Sequence, residues 1–138
     1  MKKNKQNTMS LLRDAGLRPT RQRIVIAKIL FDGRNRHVTA ENLSDEIIKS
    51  GHRVAAATIY NTLNQFTDVG LLRRVMIHNE HSVFDTNTDH HHHFFDVDTK
   101  KLIDIPADEV VLSRLPSVPD GQRVCSVDVV VHVENSNR

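Results

Sequence analysis

At 138 residues the chain holds one domain or two small ones, and with aromatics at 4% and no Trp any core must be mainly aliphatic. The only cysteine, Cys125, excludes an intramolecular disulfide and any zinc site built from paired Cys-x-x-Cys motifs. The formal charge of +2 is uneven: residues 1–88 carry 14 Lys and Arg against 8 Asp and Glu, hence +6, and residues 89–138 carry 5 against 9, hence −4.

A basic first half suits a polyanion and an acidic, histidine-rich second half suits a cation, with an unevenly charged solvated surface as the plainer alternative. The start "MKKNKQNTMS" has positive charges but no apolar run behind them. No later segment approaches the ~20 apolar residues of a membrane span. A cytoplasmic protein with no membrane partner is expected.

In chain order, "TMSLLRDAG" reads as a short helix stopped by Gly16. In "LRPTRQRIVIAKILFDG", Pro19 suits the first turn of a helix whose apolar face is Ile24, Ile26, Ala27, Ile29 and Leu30. Arg18, Arg21 and Arg23 crowd its start. Thr39 is a good N-cap for "AENLSDEIIKSG", where Leu43 and Ile47 recur at helical spacing and Gly51 supplies the stop.

The next helix, "AAATIYNTLNQFTDVG", turns Ile59, Leu63 and Phe66 inward. Its other face carries Thr58, Tyr60, Asn61, Asn64 and Gln65, which are polar and uncharged, as a helix reading base edges requires. Two helices with a tight Gly-containing turn make a helix-turn-helix. "LLRRVMI" and "HSVFDT", joined by "HNE", read as a β-hairpin and so as the wing of a winged helix. The competing reading is a helical packing unit with no nucleic-acid role.

Beyond residue 94 the pattern is one of strands. "KLIDI" alternates, "VCSVDVVVHV" sets Val127, Val129, Val131 and Val133 on one face, and "ADEVVLSRL" between them reads as a helix. Cys125 reads as a small core or sheet residue. A sheet of two or three strands needs a further layer or a second copy of the chain to cover it, so a homodimer is expected, able to read two half-sites. The expected architecture is α+β, with a winged-helix domain over residues 1–87 and a small α/β domain for metal binding and dimerisation over 88–138.

Within "TNTDHHHHFFDVD", strand alternation sends His90 and His92 to one face and His91 and His93 to the other. Two imidazoles at i and i+2, about 7 Å apart at Cα, can chelate one ion. His37, Asp85 and Asp104 are further N and O donors suited to Zn, Fe or Mn. The alternative is a solvated polar run, the reading kept for His52, His78, His81 and His132. With no His-Glu-x-x-His, phosphate loop or nucleophile motif, an enzyme is not expected.

"GLRPTRQR", "HVTAENL", "AAATIYNTLNQFTDVGLL", "SVFDT", "DHHHHF" and "KLIDI" occur in the order and spacing of the ferric uptake regulator superfamily, which the chain resembles from about residue 11 to 133. Asn61 after Tyr60, the four-histidine run and "LIDIP" look most like the iron response regulator branch.

The resemblance implies a dimeric winged-helix regulator, in the main a repressor of iron and haem homeostasis genes, bound to a double-stranded DNA operator. It implies that Arg18 enters the minor groove while Tyr60 and Asn61 face the major groove; Arg21 and Arg23, crowded beside Arg18, and Thr58, on the polar face of the helix, are further candidate contacts read from the pattern itself. Most relatives carry Arg where this chain has Asn61, which points to a different operator.

An inter-domain site for a divalent metal (Zn, Fe or Mn) maps by resemblance to His37, Asp85, His91 and His93, with Asp104 in place of a glutamate. The family's regulatory site maps to His90 and His92, but its other ligands fall near Val111 and Val127. Its four-cysteine zinc site is missing, with Asp96 and Thr99 standing where the first pair would be. Haem is therefore a further expected cofactor, with His90, His91 and His92 as candidate ligands, only one of a neighbouring pair being able to serve a given haem. The alternatives are a direct Fe, Mn or Zn sensor of the same superfamily and a metal-buffering protein without DNA function.

Overall fold

The computed structural model describes residues 7–77 and 80–137, and the chain divides into two compact units, Met1–Asp89 and His90–Arg138. His78 lies outside the described residues.

In the first unit, α1 (Thr8–Asp14), α2 (Arg21–Leu30), α3 (Ala40–Lys49) and α4 (Ala56–Asp68) enclose one aliphatic core. Leu12, Ile26, Leu30, Leu43, Ile47, Ile59, Leu63 and Phe66 are each at most 1% exposed, so the helical stripes face inward together. Side-chain hydroxyls set the helix starts. Thr20 Oγ1 accepts the Arg23 N–H at 3.3 Å and Thr39 Oγ1 accepts the Asn42 N–H at 3.1 Å. The Asn42 side chain returns the bond to the Thr39 N–H at 3.3 Å, closing a capping box. With Thr20 as the cap, α2 begins at Arg21, and Pro19 stands before the helix rather than in its first turn.

Gly51 and Gly70 end α3 and α4 at φ +87° and +83°. In each case the next residue's N–H reaches back five residues, His52 to Ile47 at 3.1 Å and Leu71 to Phe66 at 2.8 Å, as a left-handed cap requires. The first makes the turn between the paired helices; the second aims the chain into the wing.

That wing is β2 (Arg73–Val75) and β3 (Val83–Asp85), with a third strand, β1 (His37–Val38), that the periodicity did not anticipate. The order is β1-β3-β2, all antiparallel, and the register sets His37 opposite Asp85.

The second unit is a three-stranded sheet in the order β5-β4-β6, from β4 (His91–Asp96), β5 (Lys101–Pro106) and β6 (Val130–Val133). β4 runs antiparallel to β5 and parallel to β6. Asp96 Oδ1 accepts the N–H groups of Asp98 at 2.9 Å and Thr99 at 3.1 Å, and so holds the β4–β5 turn. The buried apolar side chains here are Phe95 and Ile105, beside the three buried imidazoles of His91, His92 and His93.

Three expectations for this unit change. The helix over "ADEVVLSRL" shrinks to a 3-10 turn, Ala107–Glu109, with no side-chain cap. Val111, Leu112 and Leu115 are 85%, 47% and 51% exposed, so no core within this chain stabilises so short a helix. The valine strand covers only Val130–Val133, because β4 presents His93–Asp96 as its pairing partners. Cys125 falls before that strand and is exposed.

Candidate metal centre and nucleic-acid face

Each unit carries its own set of metal-ligating side chains. In the second, alternation along β4 brings the rings of His91 and His93 within 4.5 Å of each other and those of His90 and His92 within 4.9 Å. Cross-strand register sets Asp104 opposite His93, and its Oδ1 lies 3.4 Å from Nε2 of both His91 and His93. Two ligand atoms each ~2.0–2.1 Å from a tetrahedral ion are about 3.3 Å apart. Both imidazole-to-carboxylate distances already have that spacing.

In the first unit, His37 Nε2 is 3.2 Å from Asp85 Oδ2, and the Asp85 carboxylate is fully buried. Its other oxygen accepts the Asn87 N–H at 2.9 Å, which fixes the carboxylate plane. A buried carboxylate needs compensating positive charge or donors, and a cation held with the neighbouring imidazole meets that need. Imidazole nitrogens with carboxylate oxygens form a donor set for Zn, Fe or Mn.

This pair is held by a residue that the sequence reading passed over. Arg36, beside His37, donates Nη1 to the Ile29 carbonyl at 2.9 Å and Nη2 to both Glu46 oxygens at 2.8 and 2.6 Å. Its backbone exchanges bonds with Thr86, beside Asp85: Arg36 N–H to Thr86 Oγ1 at 2.9 Å and Thr86 N–H to Arg36 C=O at 3.0 Å. An arginine in "RNRHV" carries no periodic signal that would mark it.

His90 and His92 differ from each other. His90 is exposed, whereas His92 is 3% exposed and its Nδ1 accepts the Val129 N–H at 3.1 Å. A neutral imidazole that accepts at Nδ1 carries its proton on Nε2. Ligation through Nε2 would require the other tautomer and break the bond to Val129. Val111, near which a regulatory ligand is expected by resemblance, is exposed and has no donor atom in its side chain.

On α4, Tyr60 is 47% exposed and Asn61 is exposed, while Thr58 is half-buried. Asn64 and Gln65 are engaged within the unit: Asn64 Oδ1 accepts from Arg74 Nη2, and Gln65 Oε1 accepts from Arg23 Nη2 at 3.1 Å. The Arg74 guanidinium also lies over the Phe84 ring, 5.4 Å from its centroid, across the β2–β3 register. Arg18 and Arg21 are exposed; Arg23 is half-buried.

The sequence profile of the "Ferric uptake regulator family" matches residues 14–129, most of the chain. The chain belongs to this family.

The ferric uptake regulation protein of Vibrio anguillarum is 35% identical over 114 residues, covering 82% of this chain and 76% of its own. That of Escherichia coli K12 is 37% identical over 100 residues, covering 72% and 68%. Among solved structures, the ferric uptake regulator of Pseudomonas aeruginosa with manganese superposes with a TM-score of 0.71 at 30% identity, over 94% of this chain and 98% of that one. The Vibrio cholerae regulator gives 0.72 at 24% identity over 94% and 100%, a likeness of fold.

As a member of the ferric uptake regulator family the protein is a metal-responsive transcription regulator and not an enzyme. The winged helix of the first unit and the α/β second unit are the architecture of that family. No helix among the described residues is long and apolar enough to cross a membrane.

Proposed function

We propose that this ferric uptake regulator family member is a homodimeric operator-binding repressor whose signal is haem or iron status, as in the iron response regulator branch. In the second unit His91, His93 and Asp104 hold a divalent ion, Zn, Fe or Mn, and in the first unit His37 and Asp85 are a candidate donor pair for such an ion. The manganese in the Pseudomonas aeruginosa relative supports a hard divalent ion at nitrogen and oxygen donors. When bound, the ion supplies positive charge that offsets the buried carboxylate.

Arg18, Arg21, Tyr60 and Asn61 face the duplex. Arg18 and Arg21 supply cationic contacts, and Tyr60 and Asn61 supply neutral donors and acceptors to base edges. Thr58 is half-buried and contributes at the edge of this surface.

The observation that carries the haem reading is the state of the second histidine pair. His92 has its Nδ1 committed to Val129 and Val111 offers no donor, and among the described residues His90 belongs to no cluster of donors for a small ion. One exposed imidazole suffices as an axial ligand of haem, with the second axial position filled from elsewhere. A direct Fe, Mn or Zn sensor is the second reading, favoured by the geometry at His91, His93 and Asp104.

The deciding experiment is operator binding by metal-loaded protein with and without haem. Loss of binding with haem, together with a Soret shift that disappears in His90→Ala, is expected. Binding that follows metal alone, with no haem absorbance change, sinks the haem signal in favour of direct sensing. Tyr60→Ala should weaken operator binding with metal content unchanged; unaltered binding would remove α4 from the DNA face. A regulator should prefer its operator over random DNA by ~10³ or more. No preference would leave a metal-buffering protein.

A further inference from the structure

Arg23 is the third residue of α2, and its guanidinium spans two elements. Nη1 donates to the Arg18 carbonyl at 2.9 Å, and Nη2 donates to Gln65 Oε1 on α4 at 3.1 Å. The Arg18 carbonyl also accepts the Thr20 N–H at 2.9 Å, and Thr20 Oγ1 caps the Arg23 N–H at 3.3 Å. The short segment before α2 is thus folded by one internal bond and joined to Arg23 of the helix by two. The far side of the fork is tied to a residue one helical turn beyond Asn61, on the same face of α4.

We infer that Arg23 is a positioning residue for DNA recognition. It spends its donors inside the protein, and it fixes the backbone that presents Arg18 relative to the helix that presents Tyr60 and Asn61. The inference rests on the reading above that Arg18 and α4 face the duplex. Two elements that reach different parts of one operator must be held at a set spacing before binding, or the cost of ordering them falls on the affinity. A planar fork with donors at a fixed angle can bridge two acceptors, one on each element. Lysine keeps the charge, but its three donors radiate from one nitrogen and do not reproduce the spacing of Nη1 and Nη2, so it does not keep both contacts in this geometry.

This separates positioning from a phosphate contact. A phosphate contact needs the charge, so Lys would serve in its place, and Ala would lower the slope of log K against log salt by about 0.9. A positioning role needs the fork. Lys then fails, and it fails only through Arg18.

The test is operator binding by the metal-loaded full chain, followed by fluorescence anisotropy across a salt series, for wild type, Arg18→Ala, Arg23→Lys and the double variant. Measurement well below every unfolding midpoint keeps loss of fold out of the comparison. Arg23→Lys is expected to lose roughly tenfold in affinity, the scale of releasing one or two ordered side chains. In the Arg18→Ala background it should add less than twofold. Arg23→Lys binding within twofold of wild type, or losses that multiply in the double variant, overturns the positioning role alone. If Arg18→Ala itself binds like wild type, the DNA-facing reading of Arg18 fails, and this inference fails with it.

Discussion

Arg36 and Glu46 offer a measurable link between the metal-ligand pair and the helix-turn-helix. The Arg36 side chain is 16% exposed and that of Glu46 is 37%, so the pair is neither a surface ion pair, worth about 0.2–1 kcal/mol, nor a sealed one, where removing one partner costs about 3–5 kcal/mol. Arg36→Ala removes the two-oxygen contact with Glu46, which at this exposure is worth about 1 kcal/mol. It also strips the Ile29 carbonyl at the end of α2 of its donor, about 1 kcal/mol more, and loses the packing of the aliphatic stem.

The expected loss is about 2–3 kcal/mol, which for a unit of this size lowers its melting midpoint by on the order of 10 °C. Glu46→Ala should cost less, about 1–2 kcal/mol, since Arg36 keeps the Ile29 carbonyl. The double variant should fall short of the sum by about 1 kcal/mol. The assay is urea unfolding followed by far-UV circular dichroism, in excess chelator for every variant so that altered metal affinity does not enter. An Arg36→Ala loss under about 0.5 kcal/mol, or additive losses in the double variant, would refute the account of Arg36 as the tie between α2, α3 and the strand ends.

Thr39→Ala removes the hydroxyl half of the capping box at α3, leaving the residue 39 N–H on the Asn42 side chain, and should cost about 1 kcal/mol in the same unfolding assay, with Thr39→Ser recovering most of it. Gly51→Ala meets no atom within 4 Å, yet φ +87° makes it strained; a loss of about 1–2 kcal/mol is expected, and a neutral result would mean that the turn adopts another conformation. Backbone N–H groups of Thr99 and Asp98 hold the Asp96 carboxyl below the usual carboxylate range. A lowered folded-state value stabilises the fold above the unfolded pKa, and that stability is lost as pH falls through the folded one, so the window lies below about pH 4. Asp96→Asn keeps an acceptor for the turn but should flatten the acid limb of the unfolding midpoint between pH 5 and 2; an unchanged limb would rule Asp96 out.

Much of the first unit was legible because its signals are local. Ile59, Leu63 and Phe66 recur at helical spacing, Thr39 caps, and Gly51 stops, all within one or two turns of the residues they act on. The same locality made "HHHH" readable as two alternating pairs, since alternation needs only the strand itself. It failed over "ADEVVLSRL", where the local pattern is helical but Val111, Leu112 and Leu115 stay exposed and no apolar face among the described residues covers them.

From the sequence by itself came the helix-turn-helix and wing, the aliphatic composition of the core and the two-pair grouping of the histidines. The tertiary structure decided the rest: β1 brings His37 opposite Asp85, register brings Asp104 to His91 and His93, and Val129 takes the Nδ1 of His92. It also turned Arg23 and Arg36 inward to acceptors far along the chain. Periodicity encodes which face a side chain takes; which atom it meets there depends on strand register and loop closure, and no local pattern carries those.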